Sequence, residues 1–416
     1  MQFRFKKDLV TNFFLYAAGY IVPGILSFLL IPFIIRNYGA EVYAQYSILF
    51  NCLSVISMFC YNWVGQAYIR FYTGRYKGID IVFNNYLKLS LVAGSLLFIV
   101  VSFFIANINP GYLFIVVPVF FLSGYYNFNL LKNQAKQRAK QTALAEMIRT
   151  AITIIVPLAA VLFVKNLYAL PVLFASLLLG YASGLLYLSK KENNNAQAEQ
   201  QELPDISIIK KQIREYGIPI AFFVSVSLAL TVNDRYLIAH LMDYKSSGNY
   251  GALYDLLNKG VGFSCAPVIM TYFPHIVKQF NGGNKAGAYS SIKKALLLEA
   301  IIFITGLACL ALFGKFFFEL FLKHTVGNDT MQLAYILYTG VFVWQAAMLV
   351  HKPLELRLQT RYMAIGVFIA FAVNITANYF LIKQYHDVMM AAWTTLGSSL
   401  LYLFFIIFKI FAKKKG

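Results

Sequence analysis

Twelve apolar segments of roughly helix-spanning length recur along the 416 residues, with approximate centres near Gly24, Ser54, Leu96, Phe120, Ile154, Leu177, Ser227, Ser264, Ile304, Phe342, Ala370 and Leu401. A bilayer core about 30 Å thick takes about 20 residues of α-helix to cross. Lipid offers no water to unpaired backbone groups, so each segment is predicted to be a helix. The expected fold class is therefore all-α integral membrane, with twelve transmembrane helices. Composition agrees: 59% of the residues are hydrophobic and only 13% charged. A soluble domain carries about a quarter charged residues, so this chain cannot cover a water-facing surface of ordinary polarity.

The charge balance tests the number of spans. Lys plus Arg is 36 against 17 Asp plus Glu, a net charge of +19. In a soluble protein that excess would suggest a nucleic-acid partner; in a membrane protein it reports topology, because basic residues stay in cytoplasmic loops. Alternate connections separate cleanly. Arg36, Lys165, Lys245, Lys315, Lys323 and Lys383 fall on one side. Arg149, Arg235 and Lys259 fall inside spans, and every other basic residue falls on the opposite side, including Arg75, Lys77 and Lys191. A wrong span count would scramble that asymmetry, so both termini are expected in the cytoplasm. The apolar run after Arg4, Lys6 and Lys7 is too long for a signal peptide and reads as the first span.

One polar stretch interrupts the pattern. Lys190 to Arg214 contains KKENNNAQAEQQELPD and is expected to be a mobile cytoplasmic linker. It divides the chain into a six-helix bundle at 1–189, the linker at 190–214 and a second six-helix bundle at 215–416. The halves carry related segments. RNYGAEVYAQYSIL from Arg36 aligns with HLMDYKSSGNYGAL from His240, placing Tyr46 on Tyr250. KNQAKQRAKQTALA from Lys132 aligns with HKPLELRLQTRYMA from His351, placing Arg138 on Arg357. Six plus six spans in the same orientation imply a parallel repeat about an axis along the membrane normal.

The four cysteines, Cys52, Cys60, Cys265 and Cys309, lie in apolar stretches without metal-ligand spacing and read as small apolar residues. There is no GxxxxGK[ST] phosphate loop, HExxH, GxSxG or CxxC. No cofactor is expected. The outward loops are short, the longest expected at about Gly314 to Met331, leaving little room for an external acceptor site. Transport is favoured over enzymatic catalysis.

Charges inside spans are costly and mark function by default. Asp234 and Arg235 lie toward the outer end of span seven, and Asp255 and Lys259 lie one turn apart on span eight. Spacing i,i+4 makes Asp255 and Lys259 a candidate pair, either functional or fixing helix packing. Glu146 and Arg149 are a second candidate pair on span five, and Glu299 on span nine has no local partner. Arg70 and Lys88 sit at inner helix ends, where snorkelling accounts for them. Asn51, Asn62, Gln66 and Arg70 run along span two, Asn127 and Asn129 lie in span four, and Asn374 and Asn378 are four apart on span eleven. Amides suit sugar hydroxyls and also join helices to one another.

IPFIIRNYGAEVYAQYSIL after span one, and TVNDRYLIAHLMDYKSSGNYGALYDLL across spans seven and eight, resemble polysaccharide repeat-unit (O-antigen) flippases of the multidrug/oligosaccharidyl-lipid/polysaccharide exporter superfamily. The resemblance extends over the whole chain in span count, length, charge topology and linker position. It implies two six-helix bundles facing each other in a V. It also implies alternating access that moves an undecaprenyl-pyrophosphate-linked oligosaccharide from the cytoplasmic to the periplasmic leaflet of a bacterial inner membrane, coupled to an ion gradient. Glycan polymerase and chain-length proteins of lipopolysaccharide assembly are the implied partners. Such a substrate needs cations for its pyrophosphate, which makes Arg149, Arg235 and Lys259 the expected headgroup ligands, with Arg70 and Arg36 in reserve at the two mouths. The glycan contacts are expected at Asn51, Asn62, Gln66, Asn374 and Asn378. Coupling needs a carboxylate; Asp234 and Glu299, without same-face partners, rank ahead of Asp255 and Glu146. Two alternatives remain open: a drug or small-metabolite exporter of the same superfamily, and a membrane enzyme or assembly factor of the glycan pathway.

Overall fold

A computed structural model describes residues 2–71, 79–102, 110–136, 138–163, 169–190, 206–322, 326–357 and 359–412. Among the basic residues used for topology, Arg75, Lys77, Lys165, Lys191, Lys323 and Lys413 to Lys415 lie outside the described residues. The described chain runs through α1 (Gln2–Tyr38), α2 (Ala40–Ser57), a π-helical turn (Met58–Asn62), α3 (Trp63–Phe71), α4 (Ile79–Ser102), α5 (Leu113–Ala135), α6 (Ala139–Phe163) and α7 (Ala169–Lys190). It continues through α8 (Ile206–Leu241), α9 (Tyr244–Asn281), α10 (Lys285–Leu322), α11 (Asn328–Val350), α12 (Lys352–Leu356), α13 (Thr360–Tyr385) and α14 (Val388–Ala412). Twelve of these stretches are long and apolar enough to cross a membrane, α2 to α3 forming one and α11 to α12 another. Every apolar centre read from the sequence falls inside one of them. The protein is an all-α, multi-pass membrane protein.

Two boundaries differ from the sequence reading. Helix α8 starts at Ile206, so the second part of the expected linker is helical. Helix α10 continues to Leu322, because KFFFELFL prolongs its apolar run past Gly314. The outward loop expected from Gly314 to Met331 is thereby reduced to a few residues before Asn328, with the Val326 amide donating to Glu319 Oε1 at 3.2 Å.

The helices cluster into two compact units. Unit 1 comprises Met1–Leu30 and Leu49–Ser225; unit 2 comprises Ile31–Ile48 and Val226–Gly416. The first helix of each sequence half, α1 and α8, is therefore shared between units.

In unit 1, α5 packs against α3, α4, α6 and α7. Tyr68 meets Phe83 and Phe128 edge-on, and Phe120 takes an edge from Tyr61 and stacks on Phe98. In unit 2, α9, α10, α11, α13 and α14 pack together. A core of Val268, Ile276, Ala288, Ile292, Ala295 and Leu349 joins α9, α10 and α11. Outward, Leu89, Leu96, Phe114, Leu162, Leu312, Phe316, Phe404 and Phe408 stand exposed. Apolar surface on this scale suits lipid rather than water.

The turn between α8 and α9 is held by Asp243, which accepts from the Ser246 amide and hydroxyl, each at 2.7 Å. The amide bond in particular keeps the Asp243 carboxyl below the usual carboxylate range. The turn between α1 and α2 uses Gly39 at φ +87°, a conformation that a side chain disfavours.

Candidate functional site

Unit 2 holds a layered polar network in its apolar interior. Asp234 and Arg235 are adjacent on α8, so their side chains leave the helix about 100° apart. They enter two different sets of partners. Arg235, 2% exposed, is paired in a fork to Asp255 of α9, Nη1 to Oδ2 at 2.9 Å and Nη2 to Oδ1 at 2.5 Å. Its guanidinium lies 5.5 Å from the Tyr254 ring centre. Tyr43 of α2 donates its hydroxyl to Asp255 Oδ2. Gly251 leaves the room that Arg235 occupies: a Cβ there would lie 3.2 Å from Arg235 Cδ.

Asp234 faces the other way, toward α13 and α14. It accepts from Tyr250 Oη at 2.7 Å, from Asn378 Nδ2 at 2.7 Å and from Thr395 Oγ1. Asn378 also donates to Asn374 Oδ1 at 3.0 Å and accepts from Thr394. Asn374 in turn accepts from Asn233 at 2.9 Å and donates to Ser398 Oγ at 3.0 Å. A carboxylate, two amide oxygens and four hydroxyl oxygens thus gather where α8, α9, α13 and α14 meet. Hard oxygen donors of this kind suit a proton or a small cation.

Unit 1 holds a second, smaller site. Arg149 of α6 binds Glu146 one turn earlier, Nη2 to Oε2 at 2.7 Å and Nε to Oε2 at 3.2 Å. Glu146 Oε1 accepts from Tyr126 of α5 at 2.9 Å. The guanidinium lies 5.9 Å from the Tyr126 ring centre and 5.5 Å from that of Tyr181 on α7. Two glycines let the helices close around it. A Cβ on Gly180 would sit 2.8 Å from the Arg149 carbonyl oxygen, and one on Gly184 would reach the Tyr126 ring. Small residues at such crossings allow helices to approach this closely in lipid.

These placements revise several expectations. Asp255 pairs with Arg235 of the neighbouring helix and with Tyr43. Lys259 lies half-buried one turn beyond it on α9. A guanidinium on the adjacent helix reaches both carboxylate oxygens at once, a partner that spacing along one helix does not reveal. Asp234 is not without partners: three neutral donors converge on it. Asn374 and Asn378, expected to face a glycan, are fully buried and belong to the Asp234 network. The expected Glu146–Arg149 pair forms.

The remaining candidates are dispersed. Arg36 is exposed at the end of α1. Asn51 is half-buried, with a buried Nδ2 that has no hydrogen-bond partner among the described residues. Asn62 donates to Met58 Sδ at 2.9 Å. Gln66 and Arg70 fall on α3, their side chains outside the described ones.

Glu299 of α10 is 2% exposed, and neither carboxyl oxygen has a hydrogen-bond partner among the described residues. An unpartnered buried polar group costs about 1–3 kcal/mol, and more if charged. Glu299→Met is therefore expected to stabilise the protein by about 1–3 kcal/mol. Thermal unfolding in detergent checks this, and an unchanged or lower midpoint would contradict it.

Sequence reasoning missed Tyr43, Tyr126, Tyr181, Thr394, Thr395 and Ser398. The α14 residues had a signal: Thr394, Thr395, Ser398 and Ser399 repeat hydroxyls one turn apart in an apolar helix. The tyrosines had none, since 29 of them are spread through the chain.

The fold is the exporter fold of solved membrane transporters, and the individual matches extend over nearly the whole chain. It is similar to an inward-facing multidrug resistance MATE family transporter of the MOP superfamily, with a TM-score of 0.69 and 12% identity over 96% of this chain and 95% of that one. The MATE multidrug transporter DinF-BH matches at 0.67, with 15% identity over 98% and 95%. Lipid II flippase MurJ in an inward closed conformation matches at 0.65, with 12% identity over 95% and 87%. No protein-family model and no curated protein sequence matches.

Proposed function

We propose that this protein is a flippase for undecaprenyl-pyrophosphate-linked oligosaccharide repeat units. It moves them from the cytoplasmic to the outer leaflet of a bacterial inner membrane by alternating access, drawing on a cation gradient. The observation that carries this proposal is the Arg149 site: a guanidinium in a membrane helix, 21% exposed, flanked by two tyrosine rings. Arginine offers a fork of donors to a pyrophosphate, and aromatic faces suit sugar rings and cations alike. Both arginines are paired with a carboxylate, and Arg235 is the weaker headgroup ligand because it is almost fully buried whereas Arg149 keeps part of its side chain exposed. The Asp234 network is the proposed coupling site, with Glu299 second. The fold shared with a lipid II flippase supports a lipid-linked substrate, and the asymmetry of basic residues supports cytoplasmic termini.

A drug exporter is the competing function. The similar structures include multidrug transporters, and Glu146 beside Tyr126 and Tyr181 would also receive a flat organic cation. Complementation separates the two. In a strain lacking its own flippase, the parent chain is expected to restore surface glycan. Arg149→Ala is expected to reduce that display roughly 10- to 100-fold at equal protein level, the worth of a charge-assisted hydrogen bond. Arg149→Lys should recover only part of it. Failure of the parent with every glycan tested, together with raised resistance to cationic drugs, would replace the flippase with the exporter.

A further inference from the structure

The tip of the first hairpin, Ile31–Ile48, belongs to unit 2, although α1 up to Leu30 and α2 from Leu49 belong to unit 1. The chain leaves one unit, turns at Gly39 while packed on the other, and returns. At the tip, Ile31, Ile34, Tyr43, Ala44, Ser47 and Ile48 are all buried.

Two contacts hold it on the α8–α9 hairpin. Tyr43 donates its hydroxyl to Asp255, bridging 212 residues of sequence. Near the start of α9, Gly248 lies so close to the Ala40 backbone that a Cβ there would overlap the Ala40 carbonyl.

We propose that Tyr43, Asp255 and Arg235 form a latch that holds the hairpin tip on α8 and α9 and releases it once per transport cycle. The proposal rests on the alternating-access reading, which requires the end of the protein bearing these two turns to open.

Charge distribution makes the release inexpensive. The tip contributes only a neutral hydroxyl to the latch. Both charges, Arg235 and Asp255, stay behind in unit 2 and remain paired in a fork when the tip departs. Had the tip carried the arginine, opening would strand a buried carboxylate, which is strongly unfavourable. The Gly248 contact is likewise backbone against backbone, with no side chain to withdraw from a socket. Arg235 is thereby a positioning residue: it fixes the carboxylate that Tyr43 meets, and Ser247, donating to the Arg235 carbonyl at 2.8 Å, ties the start of α9 to α8.

Cysteine accessibility tests the latch. The four native cysteines are replaced, Ser47→Cys is introduced at the buried face of the tip, and a membrane-impermeant maleimide is added to each face in turn. Labelling is expected to be slow in this parent and to come from one face only. Tyr43→Phe, which removes one hydroxyl and leaves the ion pair, should raise the rate roughly ten-fold, the value of a hydrogen bond to a charged group. Gly248→Ala, which alters no polar group, should raise it as well by wedging the tip from α9. The double exchange Arg235→Asp with Asp255→Arg keeps a pair but presents the tyrosine with a cation, and should also speed labelling. Equal rates in the parent, Tyr43→Phe and Gly248→Ala at matched abundance would overturn the latch, as would rapid labelling of the parent. The assay needs no substrate, so an error in the proposed cargo leaves its outcome readable. Loss of transport with unchanged labelling would instead place these residues at the substrate.

Discussion

Asp255→Ala is expected to cost about 3 kcal/mol of stability. Removing one partner of a buried ion pair costs about 3–5 kcal/mol because the other charge stays behind without compensation. The lower end applies here, since the Asp255 side chain is 22% exposed whereas that of Arg235 is 2% exposed. The truncation would also leave the Tyr43 hydroxyl without its acceptor. Replacing both charges, as Arg235→Met with Asp255→Leu, is expected to bring stability back to within about 1 kcal/mol of the parent, because apolar residues of similar volume substitute well for a buried pair. Thermal midpoints in detergent give the ranking: parent and double variant together, Asp255→Ala well below. A double variant as unstable as Asp255→Ala would show that the pair itself, rather than the uncompensated guanidinium, sets the cost.

The second large effect is expected at Asp234, in transport rather than stability. Asp234→Ala would orphan Tyr250, Asn378 and Thr395 together, and three buried donors without an acceptor cost several kcal/mol at about 1–3 kcal/mol each. Asp234→Asn is the informative variant. It keeps the volume and one acceptor oxygen, so Tyr250 and Thr395 retain a partner. Only the contact with Asn378, itself an amide, has to be rearranged. The variant should therefore fold, yet lack the negative charge that a transported cation requires. In proteoliposomes the parent is expected to flip faster under an imposed proton or sodium gradient, and Asp234→Asn to show less than a tenth of that gradient-driven increment, the loss expected when one strong electrostatic interaction worth about 1.4 kcal/mol or more is removed. Undiminished gradient dependence in Asp234→Asn would move the coupling role to another carboxylate, Glu299 first. Comparing pH and sodium gradients in the parent identifies the ion.

The fold was legible because lipid imposes one rule on every span. Each segment must be apolar and long enough, and the basic residues then report its orientation. The boundary errors came where that rule is locally silent. Gly314 and Lys315 look like the end of a helix, yet FFFELFL beyond them is apolar enough to continue it. The charged site residues were also legible, since Arg149, Arg235, Asp234, Asp255, Glu146 and Glu299 are conspicuous in apolar sequence. Their partners were not. Glu146 and Arg149 pair within one helix, and spacing sufficed. Arg235 and Asp255 lie on neighbouring helices 20 residues apart, and Tyr43 joins them from 212 residues away. Helical spacing carries no information about such contacts. The role of the two buried asparagines stayed open for a related reason: an amide that serves a glycan and one that serves a carboxylate look alike until the opposite helix is in place.

The seat of the first hairpin tip has a consequence for biosynthesis. Tyr43 leaves the ribosome before Asp255, which follows 212 residues later. At about 5–20 residues per second, that interval is about 10–40 s. Throughout it the tip has no seat, since α8 and α9 do not yet exist. Its polar turn, with Arg36, Asn37 and Glu41 around Gly39, has to wait in the headgroup region while α4 to α7 assemble. The nascent chain therefore completes most of unit 1 around a hairpin whose far end is still unfastened, and helices made later provide the place where that turn comes to rest.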